Sequence, residues 1–305
     1  MNTESFRCYF PQFKDIIHFA SCSLAARSTA MTYAMNNMLD DMSGNILGWH
    51  NFEKEIFALK NNVAKFIGAS AEQIAIMPNA SVAAYQIAST LNWKEKAEIV
   101  LSDEEFPSIA HIWLAQKRNG ASCHFVKGSQ DANEIINAYI NKISIKTKLV
   151  SIPYTSYLDG KTFPIKEISE HATSVGAKIF VDAYQAIGVE PINVKLLNCD
   201  YLIAGTMKYL LGLPGLAFLY IKSGVENDLH PQLTGWFGRK DPFSFDPQVL
   251  DFPKEASRFE TGTPSVPAVY AANAGLNLLL KLDINVIKKH VSSLVDYAYK
   301  KLKRG

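Results

Sequence analysis

Seven short apolar runs, separated by amphipathic stretches, constrain the fold of this 305-residue chain more than any other feature. The runs are "QIAIM" (73–77), "EIVLS" (98–102), "SCHFV" (122–126), "KLVSIPY" (148–154), "AKIFVD" (177–182), "DYLIAG" (200–205) and "LAFLYI" (216–221). Their length and near-continuous apolar character suit strands buried on both faces. Helical periodicity fills most of the gaps, at 81–91, 107–118, 131–142 and 165–175. This rhythm predicts the α/β class, with a mainly parallel seven-stranded sheet and helices on both faces. Two further helical patterns, 28–42 and 50–67, precede the first strand, and the second of them stops at Gly68. Residues 222–263 are irregular, rich in Pro and Gly, and too long for an idle connection. Helical patterns at 264–281 and 284–303 follow.

The stretch "IAGTMKYLLGLPGLAFLYI", residues 203–221, puts a charge into this pattern. One buried run halts at Gly205, Lys208 follows among mostly apolar neighbours, and the next run begins after Gly215. A cation between two core strands is unfavourable unless its charge is paired or lost. Asp182 ends a neighbouring strand, so a plain salt bridge is one reading, and Asp in such a place also commonly caps a turn.

Ligands on parallel sheets bind beyond the carboxyl ends of the strands, and two more ends carry candidates. The first strand runs into "PNASVAAYQIAST", where Asn79, Ala80 and Ser81 open a helix. That start is either an ordinary N-cap or an anion site built from free N–H groups, helix dipole and hydroxyl. The second strand runs into "SDEEFPSIAH", placing Phe106 before Pro107 as core packing or as a platform for a flat ligand. A phosphate cradle, an aromatic ring, a carboxylate and a lysine are together what pyridoxal phosphate requires. No GxGxxG follows the first strand, and neither GxxxxGK[ST] nor GxSxG occurs.

Bulk properties exclude other classes. Lys and Arg total 31 against 29 Asp and Glu, a formal net charge of +2, which gives no reason to expect nucleic acid or an anionic membrane. No apolar run approaches the length of a membrane span, and "MNTESFRCYFPQFKD" lacks a signal-peptide layout. Cys8, Cys22, Cys123 and Cys199 are far apart, with no CxxC or HExxH, so neither a disulfide scaffold nor a metal site is expected. A reducing cytoplasm fits this cysteine usage.

The ordered set "VDAYQAIG", "GTMKYLLGLPGLAFLYI" and "RFETGTPS" resembles the class V aminotransferases among fold-type I pyridoxal-phosphate enzymes. That group includes cysteine desulfurases, kynureninases and isopenicillin N epimerase-like proteins. The resemblance covers the chain from "IIHFASCSLAA" to about residue 282. It implies an N-terminal arm (1–18), a cofactor-binding large domain (19–282) and, at 283–305, the start of a truncated, largely absent C-terminal small domain. It casts Lys208 as the Schiff-base lysine, Asp182 as the pyridinium partner and Gln185 as the residue bonded to the ring oxygen. Ala80 and Ser81 match the phosphate-binding helix start, and Phe106 the ring-stacking position. Thr263 matches a residue lent to the phosphate of a neighbouring subunit, implying a homodimer with shared sites.

Relatives often carry Ser and His shortly before the lysine. Here Gly205, Thr206 and Met207 stand there, leaving Thr206 as the hydroxyl for the phosphate. The implied activity is transamination or β-carbon lyase chemistry on an amino acid. A non-catalytic relative serving as a binding or assembly partner is the alternative. No cysteine follows Cys199, which disfavours desulfuration. Of the arginines, Arg27, Arg239 and Arg258 remain for a substrate carboxylate, with Arg27 the first candidate. The segment "TGWFGRKDPFSFDP" is expected either to line the site mouth, with Trp236 and Arg239 exposed, or to serve as a structural loop or dimer contact.

Overall fold

The computed structural model describes residues 1–43, 47–225 and 229–302. Its strands are β1 Ile74–Met77, β2 Glu98–Ser102, β3 Ser122–Val126, β4 Thr147–Pro153, β5 Lys178–Asp182, β6 Tyr201–Gly205 and β7 Ala217–Ile221. Helices α1 Thr3–Arg7, α2 Thr29–Ser43 and α3 Leu47–Ile67 come first. Within the alternating part lie α4 Ala80–Thr90, α5 Pro107–Ala115, α6 Ala132–Lys142, α7 Ile165–Ser174 and the short α8 Val194–Leu197. Helices α9 Val266–Leu279 and α10 Ile284–Leu302 close the described chain, so residue 303 of the last expected helix lies outside it.

The strands form one sheet in the order β1-β7-β6-β5-β4-β2-β3. Only β7 runs against its neighbours β1 and β6, so the carboxyl ends of the other six share one edge. Alternate residues feed two cores. Ile179, Val181, Leu202 and Ala204 face one, while Phe180, Tyr201 and Ile203 face the other. Burial on both sides is why these strands read as apolar runs rather than as alternations. Among the described residues no helix is long and apolar enough to cross a membrane.

The strand order also fixes where a crevice opens. From β2 the chain passes through α5 outward to β3, while from β4 it passes through α7 the opposite way to β5. Helix α5 packs into the core of Phe180 and Ile203, and α7 into the core of Ile179 and Val181. Between β2 and β4 the connections therefore part to opposite faces, which is where an open α/β sheet leaves room for a ligand.

Candidate active site

A cleft lies at that edge, lined among others by Ala80, Ser81, Phe106, Thr155, Asp182, Gln185 and Lys208. Six of the eight residues singled out from sequence therefore meet in one place.

One wall is the start of α4. The Asn79 side chain caps it by accepting the Val82 N–H at 2.9 Å, and Ala80 and Ser81 occupy the first two helical positions. Their N–H groups have no intrahelical acceptor, as at any helix start, and the helix dipole adds partial positive charge. An anionic group is stabilised there.

Asp182 forms the floor and is only 7% exposed. Its Oδ1 accepts the Tyr184 N–H at 2.9 Å, and its own carbonyl takes the Tyr154 N–H at 2.8 Å. Burial pushes the Asp182 carboxyl up to about 6, against the opposing pull of the Tyr184 N–H and the Lys208 charge. Lys208 shifts the other way: burial lowers it, while Asp182 and then Cys22 hold it up. Its Nζ lies 4.6 Å from the centroid of the Tyr184 ring and 5.7 Å from that of Phe106. Phe106 is 43% exposed and meets Tyr157 edge-on at 5.3 Å, so it is not core. The Lys208 cation is thus partly desolvated, flanked by two aromatic faces and near a carboxylate.

The turn that carries Lys208 is held from several sides. Leu211 adopts a left-handed φ of 61°, unusual for a bulky residue, within a turn closed by Leu211 N–H to Lys208 O at 3.0 Å. Gly275 of α9 lets the helix press on this turn, because a Cβ there would sit 2.1 Å from Leu210 O. The segment before α2 also holds it, with Ala25 N–H donating to Met207 O at 2.9 Å.

Two expectations need correction. Thr206, assigned to the phosphate, does not line the cleft. It is buried, and its hydroxyl is within bonding distance of Leu213 O (3.2 Å) and Leu216 O (3.4 Å), so it closes the lysine turn instead. Of the two readings of the 234–247 segment, the site mouth with Trp236 and Arg239 exposed is not what the protomer shows. Trp236 packs edge-on against Trp49 and Phe243, while Arg239 Nε bonds Asp251 at 3.2 Å, and neither lines the cleft. Thr263 is exposed and away from the cleft of its own protomer. Arg258 is buried with its guanidinium on Pro253 O and Leu229 O, whereas Arg27 is exposed.

Tyr184, Thr155 and Glu104 escaped the sequence reading. Tyr184 lies inside "VDAYQAIG" and covers Gly205, where a Cβ would fall 2.0 Å from its hydroxyl. Thr155 follows the end of β4, where the strand-end rule points. Gln185 Nε2 donates to Cys22 O at 3.2 Å, while Gln185 Oε1 and Thr155 Oγ1 are buried without a protein partner among the described residues. These orphaned atoms, the open helix start, the aromatic wall, the carboxylate and the amine fit pyridoxal 5'-phosphate.

Sheet, cleft and donor set together are those of a fold-type I pyridoxal-phosphate large domain. An apo cysteine desulfurase from Thermococcus onnurineus shares the fold with a TM-score of 0.90 at 24% identity, over 100% of this chain and 77% of that one. Residues 21–304 match the profile of the family described as aminotransferase class-V. An uncharacterised aminotransferase of Bacillus subtilis, YcbU, is 37% identical over 303 residues, 98% of this chain and 80% of its own length. A probable cysteine desulfurase of Methanothermobacter thermautotrophicus is 27% identical over 302 residues, covering 97% and 74%. The chain belongs to the class-V aminotransferase family. It is accordingly a pyridoxal-phosphate-dependent enzyme of amino-acid chemistry.

Proposed function

We propose that Lys208 is the residue that bonds the cofactor aldehyde and, once released by substrate, moves the proton of the substrate α-carbon. The observation that carries this is its position: a partly desolvated amine in the cleft, between the Tyr184 and Phe106 rings and within the field of Asp182. Desolvation favours the neutral amine, which is the nucleophilic and basic form. When bound, the cofactor supplies an electron-poor ring that accepts the electron pair left by the α-proton. Asp182 would hold a proton on the ring nitrogen, the start of α4 would anchor the phosphate, and Phe106 would cover the ring. Gln185 would reach the ring oxygen with its second amide N–H. Transamination and β-carbon cleavage, the chemistries suggested by the aminotransferase and desulfurase names of the relatives, both begin with this α-proton transfer.

The working form in this reading is a homodimer in the cytoplasm. An exposed apolar patch supports self-association: Phe243, Phe245, Val249 and Leu250 stand out beside Trp49. Thr263, exposed and away from its own cleft, is then free to serve a partner's phosphate site. The four free cysteines suit a reducing compartment.

Borohydride reduction with added pyridoxal phosphate, followed by peptide mapping, tests the assignment. The adduct is expected on Lys208 and lost in Lys208→Ala. An adduct that persists elsewhere in the variant, with turnover intact, would sink it.

A further inference from the structure

The turn after β2 carries two adjacent glutamates with opposite surroundings. Glu104 lines the cleft and is ion-paired with Lys161, which also reaches Asp159 at 3.4 Å. Glu105 is 3% exposed and lies behind the cleft wall. Its Oε1 is 2.6 Å from Ser151 Oγ, which accepts the Trp113 indole N–H at 3.0 Å. Its Oε2 is buried without a protein partner, and no Lys, Arg or His among the described residues pairs with it. A carboxylate with a single hydrogen bond and no counter-charge is poorly supported in such a place, whereas a neutral carboxylic acid is tolerated.

The groups facing it agree. Asp182 approaches from β5 and carries the same sign of charge as an ionised Glu105 would. Tyr139 of α6 is a buried phenol, held neutral, that donates to Ser151 O at 3.1 Å. Asp103 and Glu104 share the turn, with Glu104 neutralised by Lys161. In the cleft, the Lys208 charge acts on Asp182.

We infer that Glu105 is a positioning residue for Asp182: a buried carboxylic acid, protonated at neutral pH, that leaves the negative charge of the pair on Asp182. This rests on the reading of Asp182 as the ring-nitrogen partner, but its test does not. Burial, and then the Asp182 charge, push Glu105 up to about 8, against the pull of the Ser151 hydrogen bond. Asp182, at about 6, ionises first, while its neighbour is still neutral. Between those values the pair carries one charge, placed beneath the cleft. Above them a second charge arrives behind it.

The sign of the linkage gives the experiment. A folded-state value above the unfolded one favours the protonated form in the folded protein. The stability it brings is complete below the unfolded value and is lost as pH rises toward the folded one. The Asp182 contribution is common to wild type and Glu105→Gln and cancels in their difference, so the difference between pH 6 and 8 reports Glu105. Urea unfolding of the cofactor-free protein should show an unfolding constant that rises about tenfold per pH unit there, relative to Glu105→Gln, as expected for one proton. Infrared spectra of the wild type should show a protonated-carboxyl band at pH 7 that fades by pH 9, so a variant that fails to fold leaves the proposal testable. The Asp182 titration near 6 should be unmoved in Glu105→Gln, where one neutral group replaces another. Parallel stability profiles, no such band at pH 7, or a fall in the Asp182 midpoint would each overturn the inference. Should Asp182→Asn bind cofactor and turn over normally, the reading of Asp182 fails instead, while the stability and infrared tests on the wild type and Glu105→Gln stand on their own.

Discussion

Two irregular regions of this molecule do opposite things with their side chains. The site residues at the carboxyl ends of β1, β2, β4, β5 and β6 lie within four residues of a strand that is fixed in register by its neighbours. Asp182 pairs with Pro153 on one side and Ile203 on the other, and Gly205 pairs with Ala217. The described residues 222–225 and 229–263 form a long irregular run with brief 3₁₀ turns, in which Phe245 and Leu250 are exposed. Precise placement comes from the sheet, so the chemistry sits close to the strand ends. The long segment instead offers apolar area, which suits association.

Asp182→Asn is the severest test of the first half of that contrast. The amide keeps the Tyr184 N–H contact but brings no charge to the ring nitrogen. Turnover is expected to fall by about 10²–10³-fold or more, the scale seen when one preorganised electrostatic group is removed. Circular dichroism should be unchanged. A loss of only a few-fold would make Asp182 a turn cap, and the strand-end cleft would no longer be the seat of the chemistry.

Phe245→Asn tests the second half. Phe245 combines a left-handed φ of 50° with a side chain that is 72% exposed, so within one protomer it is strained with little burial in return. Asn adopts that backbone conformation more readily than Phe. The variant protomer should therefore be no less stable in urea. Self-association should weaken by about 2 kcal/mol if the ring is a buried anchor between subunits. Sedimentation velocity over a dilution series measures this. Unaltered association together with impaired cofactor binding would move the segment to the site mouth and dissolve the contrast.

The same contrast explains what could be read from the sequence. Strand runs and helical stripes report burial, which β1, β2 and β4–β7 share, whereas β3 at the sheet edge buries fully only Val126. The expected runs therefore fall within a residue or so of the observed strands. Asp182, Phe106, Ala80 and Lys208 were legible because a strand end is a place defined by topology alone. The direction of a hydroxyl is not. Thr206 turns inward because the lysine turn brings Leu213 O and Leu216 O to it, a contact between residues that periodicity does not connect. The sequence leaves Trp236 and Arg239 open between two roles for a similar reason. Their partners, Trp49 of α3 and Asp251, meet them only once the segment has packed on α3 and folded back on itself. Glu105 sits in plain view in "SDEEFPS", yet nothing local separates it from Glu104.

The smallest expected effect concerns the helix start. Asn79 accepts the Val82 N–H and fixes the entry into α4, so Asn79→Ala should cost about 1 kcal/mol of stability, the usual value of an N-cap. Two outcomes then separate a cap from an anchor. If Asn79 serves only the helix, cofactor affinity falls no more than stability does, and inorganic phosphate protects wild type and variant equally against urea. If the start of α4 is the phosphate cradle, its N–H groups lose their alignment when the first turn frays. Phosphate protection should then shrink in the variant, since stabilisation by a ligand depends on its affinity for the folded state. A second comparison removes the remaining ambiguity. Ser81→Ala leaves the cap intact, so it should preserve stability while reducing phosphate protection through loss of one hydroxyl. Equal protection in wild type, Asn79→Ala and Ser81→Ala would show that the phosphate is held elsewhere, and the first wall of the cleft would revert to an ordinary helix cap.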